Sequence, residues 1–184
     1  MERLAPSARR DAYGSKINRA HSPVLAYGVP WVTTMLGSLT PMLPIIAPAP
    51  ILPPLGYLML LAWRLARPGV LPMWAGFPLG LFNDLYSGQP IGSSILLFSL
   101  TMIALELIEL RFPWRSFWQD WLIAALFIPL YLMGSALFSG AEISLDRLPL
   151  LIPQILLSVI AFPIIAKMIS LLDNLRLTRV RRIR

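Results

Sequence analysis

A chain of 184 residues that is 57% hydrophobic and only 14% charged, with a mean hydropathy of +0.68, is too apolar for a soluble domain, which carries about 25% charged residues so that its surface is solvated. Its net charge of +7 does not point to nucleic acid, because the basic residues flank apolar runs and no soluble fold is left to present them. The lack of cysteine excludes disulfides, thiolate metal sites and cysteine nucleophiles.

What remains is an all-α, polytopic membrane protein of about six transmembrane helices, since a helix satisfies its own backbone in lipid. Three segments are expected: an N-terminal tail over 1–22, one transmembrane helical domain over 23–173, and a basic tail over 174–184. The first tail is polar and basic (Arg3, Arg9, Arg10, Lys16, Arg19) and reads as a mobile segment or a short surface helix. The apolar run that follows is too long for a signal-peptide core and reads as a retained span.

That first span runs from about Val24 to Ile46, interrupted by Pro30, Pro41 and Pro44; lipid helices tolerate proline where neighbours satisfy the freed carbonyls. The Pro48–Ala49–Pro50 stretch then turns the chain. A second run, Ile51 to Trp63, reaches only about 20 Å as a helix and needs flanking residues, a thinned bilayer or a re-entrant path. The third, Val70 to Tyr86, is also near the lower limit for a crossing. Longer runs follow at Ile91 to Ile108, Trp121 to Phe138 and Leu148 to Leu172.

With six crossings, all of the sixteen Lys and Arg residues except Arg147 fall on one side, with Lys167 snorkelling toward it. By the positive-inside rule that side is cytoplasmic and holds both termini. Trp31, Trp63, Trp74, Trp114, Trp118 and Trp121 lie mostly near span ends, where an indole prefers the headgroup zone; for Trp31 and Trp74 core packing is an equal reading.

The most informative stretch is Gly80-Leu-Phe-Asn-Asp84-Leu-Tyr-Ser-Gly88-Gln-Pro90-Ile-Gly92. Asp84 lies about 18 Å along its helix from Pro72, far from a cytoplasmic end, and an intramembrane acid is a functional candidate by default. Two readings stand open: a backbone cap where the third helix ends, or a charge that meets a partner or ligand. A mere cap implies that Asp84→Asn is tolerated. Gly88, Pro90 and Gly92 read as a tight outer turn in which glycine supplies positive φ, so Gly88→Val should not be tolerated. Glu106 and Glu109 share one helix face near Arg111 and Arg115, which reads as local charge pairing. No catalytic or cofactor set emerges. His21 is the only histidine and sits in the polar tail, so neither a metal site nor a Ser-His-Asp set is expected, and no phosphate-binding glycine loop is present. The last arginines (Arg176, Arg179, Arg181, Arg182, Arg184) suit topology fixing and contact with anionic lipid.

Short early spans followed by G-L-x-x-D-x-x-x-G-x-P-x-G at Gly80 to Gly92 resemble the MreD family of rod shape-determining proteins, over roughly residues 25–172. Tyr86 stands where that family commonly has an aliphatic residue. The resemblance implies a non-enzymatic component of the bacterial inner membrane without a cofactor. It also implies membership of the rod complex, or elongasome, that supports cell shape and peptidoglycan synthesis. Its expected partner is MreC, within a wider assembly of MreB, a RodA-type glycosyltransferase and a class B penicillin-binding transpeptidase. Gly80, Asp84, Gly88, Pro90 and Gly92 are then motif residues and candidate partner contacts. The family fold is similar to the S-component of energy-coupling-factor transporters, so a vitamin-binding S-component is the alternative reading. Against it, the outer segments offer few convergent polar groups and the first span lacks Ala-x-x-x-Ala spacing.

Overall fold

The structure, a computed structural model, describes residues 19–21, 23–42, 52–112, 116–140, 148–176 and 179–181. The Pro48–Ala49–Pro50 turn, Trp114, Arg115, Arg147 and most of both tails lie outside the described residues. Six α-helices follow in order: α1 (Pro23–Ser38), α2 (Leu55–Ala66), α3 (Gly76–Ser87), α4 (Ser93–Arg111), α5 (Phe117–Phe138) and α6 (Ile152–Arg176). Short 3-10 turns extend α1 (Thr40–Met42) and lead into α3 (Met73–Ala75) and α6 (Leu148–Leu151). Two three-residue strands, β1 (Arg19–His21) and β2 (Arg179–Arg181), pair antiparallel. Residues 19–21 are therefore extended, where a short surface helix was one expectation.

Local sequence sets the helix ends. Proline is well placed at the first position of α1, where its missing N–H costs nothing. Ser116 starts α5 with a capping box, its N–H meeting Gln119 Oε1 at 2.9 Å, which satisfies donors that the first turn leaves orphaned. Gly88 closes α3 at φ +69°, a conformation that costs glycine little and other residues more.

Among the described residues, α4, α5 and α6 are long and apolar enough to cross a membrane on their own. The first three helices are shorter than the expected spans, with 16, 12 and 12 residues. For α2 the packing supplies the reason. It sits at the centre, against α1 and α6 and also touching α4 and α5, with Tyr57, Leu58, Leu60, Leu61, Ala62 and Trp63 fully buried. A helix that is apolar all round is a buried helix. Protein, not lipid, surrounds these side chains. Trp63 accordingly belongs to the core and not to an interfacial belt; its indole N–H donates to Thr33 Oγ1 of α1 at 2.9 Å. Trp31 and Trp74 pair with ring centroids 5.4 Å apart, and Trp74 remains exposed.

The outer surface is as apolar as the interior. Leu96, Leu100, Ile103 and Leu107 run down the exposed face of α4, and Leu122, Leu126, Leu130 and Leu137 down that of α5. In water such a surface would be an extensive apolar patch; in a bilayer it is the ordinary exterior. The chain is an all-α membrane protein.

The helix-internal prolines show how the bundle absorbs broken ladders. Pro163 in α6 cannot donate to the carbonyl four residues earlier, that of Val159. Trp121 of α5 fills the gap, its indole N–H donating to Val159 O at 3.1 Å. Trp121→Phe keeps an aromatic ring, though a smaller one, and orphans that carbonyl. The expected result is a loss of about 1–3 kcal/mol, measured as a lower unfolding midpoint in detergent, with α5 and α6 still inserted.

Candidate functional site: the α3–α4 turn and the polar ties beneath it

Two glycines let α3 and α4 meet backbone to backbone. A Cβ built on Gly76 would stand 2.8 Å from Ser99 Cα, and one on Gly80 would stand 2.6 Å from Ile95 Cα and from Ser94 O. One turn apart, they form the small-xxx-small surface that membrane helices use for close approach. Gly80 is thus in the motif because its neighbour is main chain.

That contact brings Asp84 to the start of α4. Its Oδ2 accepts the Gly92 N–H at 2.7 Å and the Ile95 N–H at 3.4 Å; its Oδ1 accepts the Ser94 N–H at 2.8 Å and the Ser93 hydroxyl at 3.2 Å. These are the orphan donors of a helix N-terminus, and the positive end of the α4 dipole favours the negative charge. Asp84 is buried, and among the described residues no Lys or Arg pairs with it. The carboxylate caps the following helix, not the one that carries it. Around it, Gly88 and Gly92 take φ +69° and +105°, and the Ser93 N–H closes a turn on Pro90 O at 3.1 Å.

A polar string continues inward. Asn83 Nδ2 donates to Ser94 Oγ at 2.9 Å. Tyr131 stacks on Tyr57 of α2, with centroids 3.9 Å apart and planes 9° from parallel. The Tyr57 hydroxyl meets Thr101 Oγ1 at 3.1 Å and donates to Phe127 O at 3.3 Å. Buried hydroxyls satisfied in this way fix how neighbouring helices dock.

At the opposite end, Arg64 of α2 and Arg67, just beyond that helix, clasp the bundle. Buried Arg64 pairs with Glu106 and, at 2.8 Å, with Glu109, both on α4. Exposed Arg67 holds buried Asp173 of α6 at 2.7 Å. The expected local pairing of Glu106 and Glu109 is thereby corrected: the two acids reach across to a guanidinium whose flat fork suits two carboxylates. Sequence reading missed Gly76 and Asp173. The Gly76–Gly80 interval of four was a readable signal; the Arg67–Asp173 pair, 106 residues apart, left none.

These groups hold helices together. No nucleophile–base pair is assembled within the described part of this set, and no group of three or more His, Cys, Asp or Glu residues able to hold a metal occurs among the described residues. No curated protein and no solved structure matches the chain. The family model for rod shape-determining protein MreD does match, over residues 26–172. That range takes in all but a few residues at each end of the helical bundle, including the Gly80–Gly92 turn and the Arg64 clasp, and stops one residue short of Asp173. An apolar bundle with this capped hairpin, matched along most of its length, belongs to the MreD family of rod shape-determining proteins.

Proposed function

We propose that this chain is a non-enzymatic component of the rod complex in the bacterial inner membrane. In this reading it partners MreC and supports lateral peptidoglycan synthesis alongside MreB, a RodA-type glycosyltransferase and a class B penicillin-binding transpeptidase. The family match carries the reading. The use of buried polar groups supports it, because the Asp84 cap, the tyrosine string and the arginine clasps each join helix to helix. Such a body presents a fixed apolar exterior to partner helices. Gly80, Asp84, Gly88, Pro90 and Gly92 then shape the outer turn that such a partner meets, within one membrane domain over 23–173 flanked by tails at 1–22 and 174–184.

Depletion in a rod-shaped host tests this. Cells should round and widen while vitamin uptake stays normal. Wild-type shape together with a vitamin auxotrophy would support the S-component reading instead.

The arrangement in the membrane follows from the distribution of Lys and Arg. Reporter fusions at residue 184 and near residue 67 should read cytoplasm, and fusions near residues 88 and 144 should read periplasm. A periplasmic C-terminus would overturn the layout.

A further inference from the structure

Helix α4 has two contrasting faces. Phe98, Thr101, Met102 and Leu105 are buried in the bundle, whereas Leu96, Leu100, Ile103, Leu107 and Leu110 are exposed. The exposed five follow one another at intervals of 4, 3, 4 and 3 residues. That is the a/d spacing of a coiled-coil seam, kept up over about 21 Å of helix. A face that meets only lipid needs apolar side chains but no particular spacing. The exposed stripe of α5 (Leu122, Leu126, Leu130, Met133, Leu137) steps by 4, 4, 3 and 4 and drifts away from that repeat.

The flanking charges say what this seam fits. With Leu100 and Leu107 at a and Leu96, Ile103 and Leu110 at d, Glu106 takes a g position and Arg111 the next e position. Five residues apart on one helix, the two stand about 140° apart on opposite flanks of the seam and do not meet. Between parallel helices, a g residue of one faces the following e residue of the other. The Glu106–Arg111 interval is therefore complementary to itself. Two copies in one membrane also share an orientation, because the same Lys and Arg distribution sets both, so parallel pairing is the relation open to them. Both groups are accessible. The Glu106 side chain is 41% exposed even while Arg64 holds it, and exposed Arg111 makes no ion pair among the described residues. Arg64 thereby fixes a carboxylate at the edge of the seam.

We propose that α4 is a dimerisation helix: it packs in parallel against α4 of a second copy along this seam, with Glu106 of each copy meeting Arg111 of the other. The contact is isologous and closes at two copies. Lipid gives apolar helices no hydrophobic reason to associate, so the regular side-chain packing supplies the attraction and the two ion pairs fix the register.

Energy transfer between donor- and acceptor-tagged full-length chains in phosphatidylcholine vesicles, followed as lipid dilutes the protein, tests the proposal. The parent chain should behave as a dimer. Leu100→Ala with Leu107→Ala removes two exposed side chains from the seam and leaves the core intact; it should weaken association by about tenfold or more. Leu126→Ala with Leu130→Ala, an exposed pair on α5, should leave association unchanged. Arg111→Glu sets like charges against each other and should also cost about tenfold or more, while Arg111→Lys should keep most of the affinity. Because the chain has no cysteine of its own, Ile103→Cys or Leu107→Cys should cross-link two copies efficiently, and Leu126→Cys should not. Equal losses from the α4 and α5 pairs, wild-type association in Arg111→Glu, or equal cross-linking at positions 107 and 126 would each overturn the proposal. A parent chain that stays monomeric at every dilution would overturn it too, leaving the seam to lipid or to a helix of another protein.

Discussion

Replacing Asp84 by asparagine should lower the stability of the membrane domain by about 3 kcal/mol, read as a fall in the unfolding midpoint of detergent-purified protein. The reason is the use of both carboxylate oxygens. Oδ1 takes the Ser94 N–H and Oδ2 the Gly92 N–H. Asparagine offers one oxygen and one amide nitrogen, so one of those fixed N–H groups would face another donor. It also loses the charge that the α4 N-terminus stabilises. Asp84→Ala should cost more, since every one of those donors is left without its acceptor in a water-poor site. Gly88→Val should cost less, about 1–2 kcal/mol: its φ of +69° is unfavourable for valine, but the space beside it is open. Sequence alone ranks the two changes the other way, because a cap on its own helix would accept asparagine. If Asp84→Asn is as stable as the parent, the cap is not the role of the charge. A stable, normally inserted Asp84→Asn that no longer co-purifies with MreC would assign the carboxylate to a cation on that partner.

Gly80→Leu should prevent the native bundle from assembling, and Gly80→Ala should destabilise it by about 2–3 kcal/mol. Even a methyl group at Gly80 would stand 2.6 Å from main-chain atoms of α4, and main chain cannot rotate aside as a side chain can. The two helices would have to part. Parting them withdraws Asp84 from its donors and Asn83 from Ser94, so steric strain and lost hydrogen bonds add. Size-exclusion profiles and thermal melts in detergent measure this, with Gly28→Ala as the control. Gly28 lies in α1 with nothing within 4 Å of an added Cβ, and alanine is the better helix former by about 1 kcal/mol. Gly28→Ala should therefore be neutral or stabilising. A normal profile for Gly80→Leu would refute the tight α3–α4 contact.

The legible part of this protein was whatever lipid dictates. Runs such as Trp121 to Phe138 announce themselves because eighteen or more apolar residues have few other uses, and α5 ends at the expected residue. The unusual placement of Asp84 was legible for the same reason, as a charge where charge is expensive. Which donors it meets was not, because Ser94 and Gly92 become its neighbours only when α3 and α4 close on their glycines. The length of α2 was misleading for a related reason: twelve residues look inadequate against a bilayer and are adequate inside a protein. Glu106 showed two nearby arginines along the chain, while its partner came from 42 residues earlier. Local charge patterns report the helix that carries them, whereas clasps depend on which helices become neighbours.

The central helix also imposes an order of events on the ribosome. At about 5–20 residues per second, the 106 residues between Arg67 and Asp173 take roughly 5–20 s to make. Throughout that interval α2 is a twelve-residue helix with an arginine in its last turn and no complete shell around it. Too short and too polar at one end to rest alone in hydrocarbon, it must be sheltered by the insertion machinery or by α1 until α4 and then α6 arrive. The clasp that joins α6 to the end of α2 is therefore the last of these ties the chain can form as it is made.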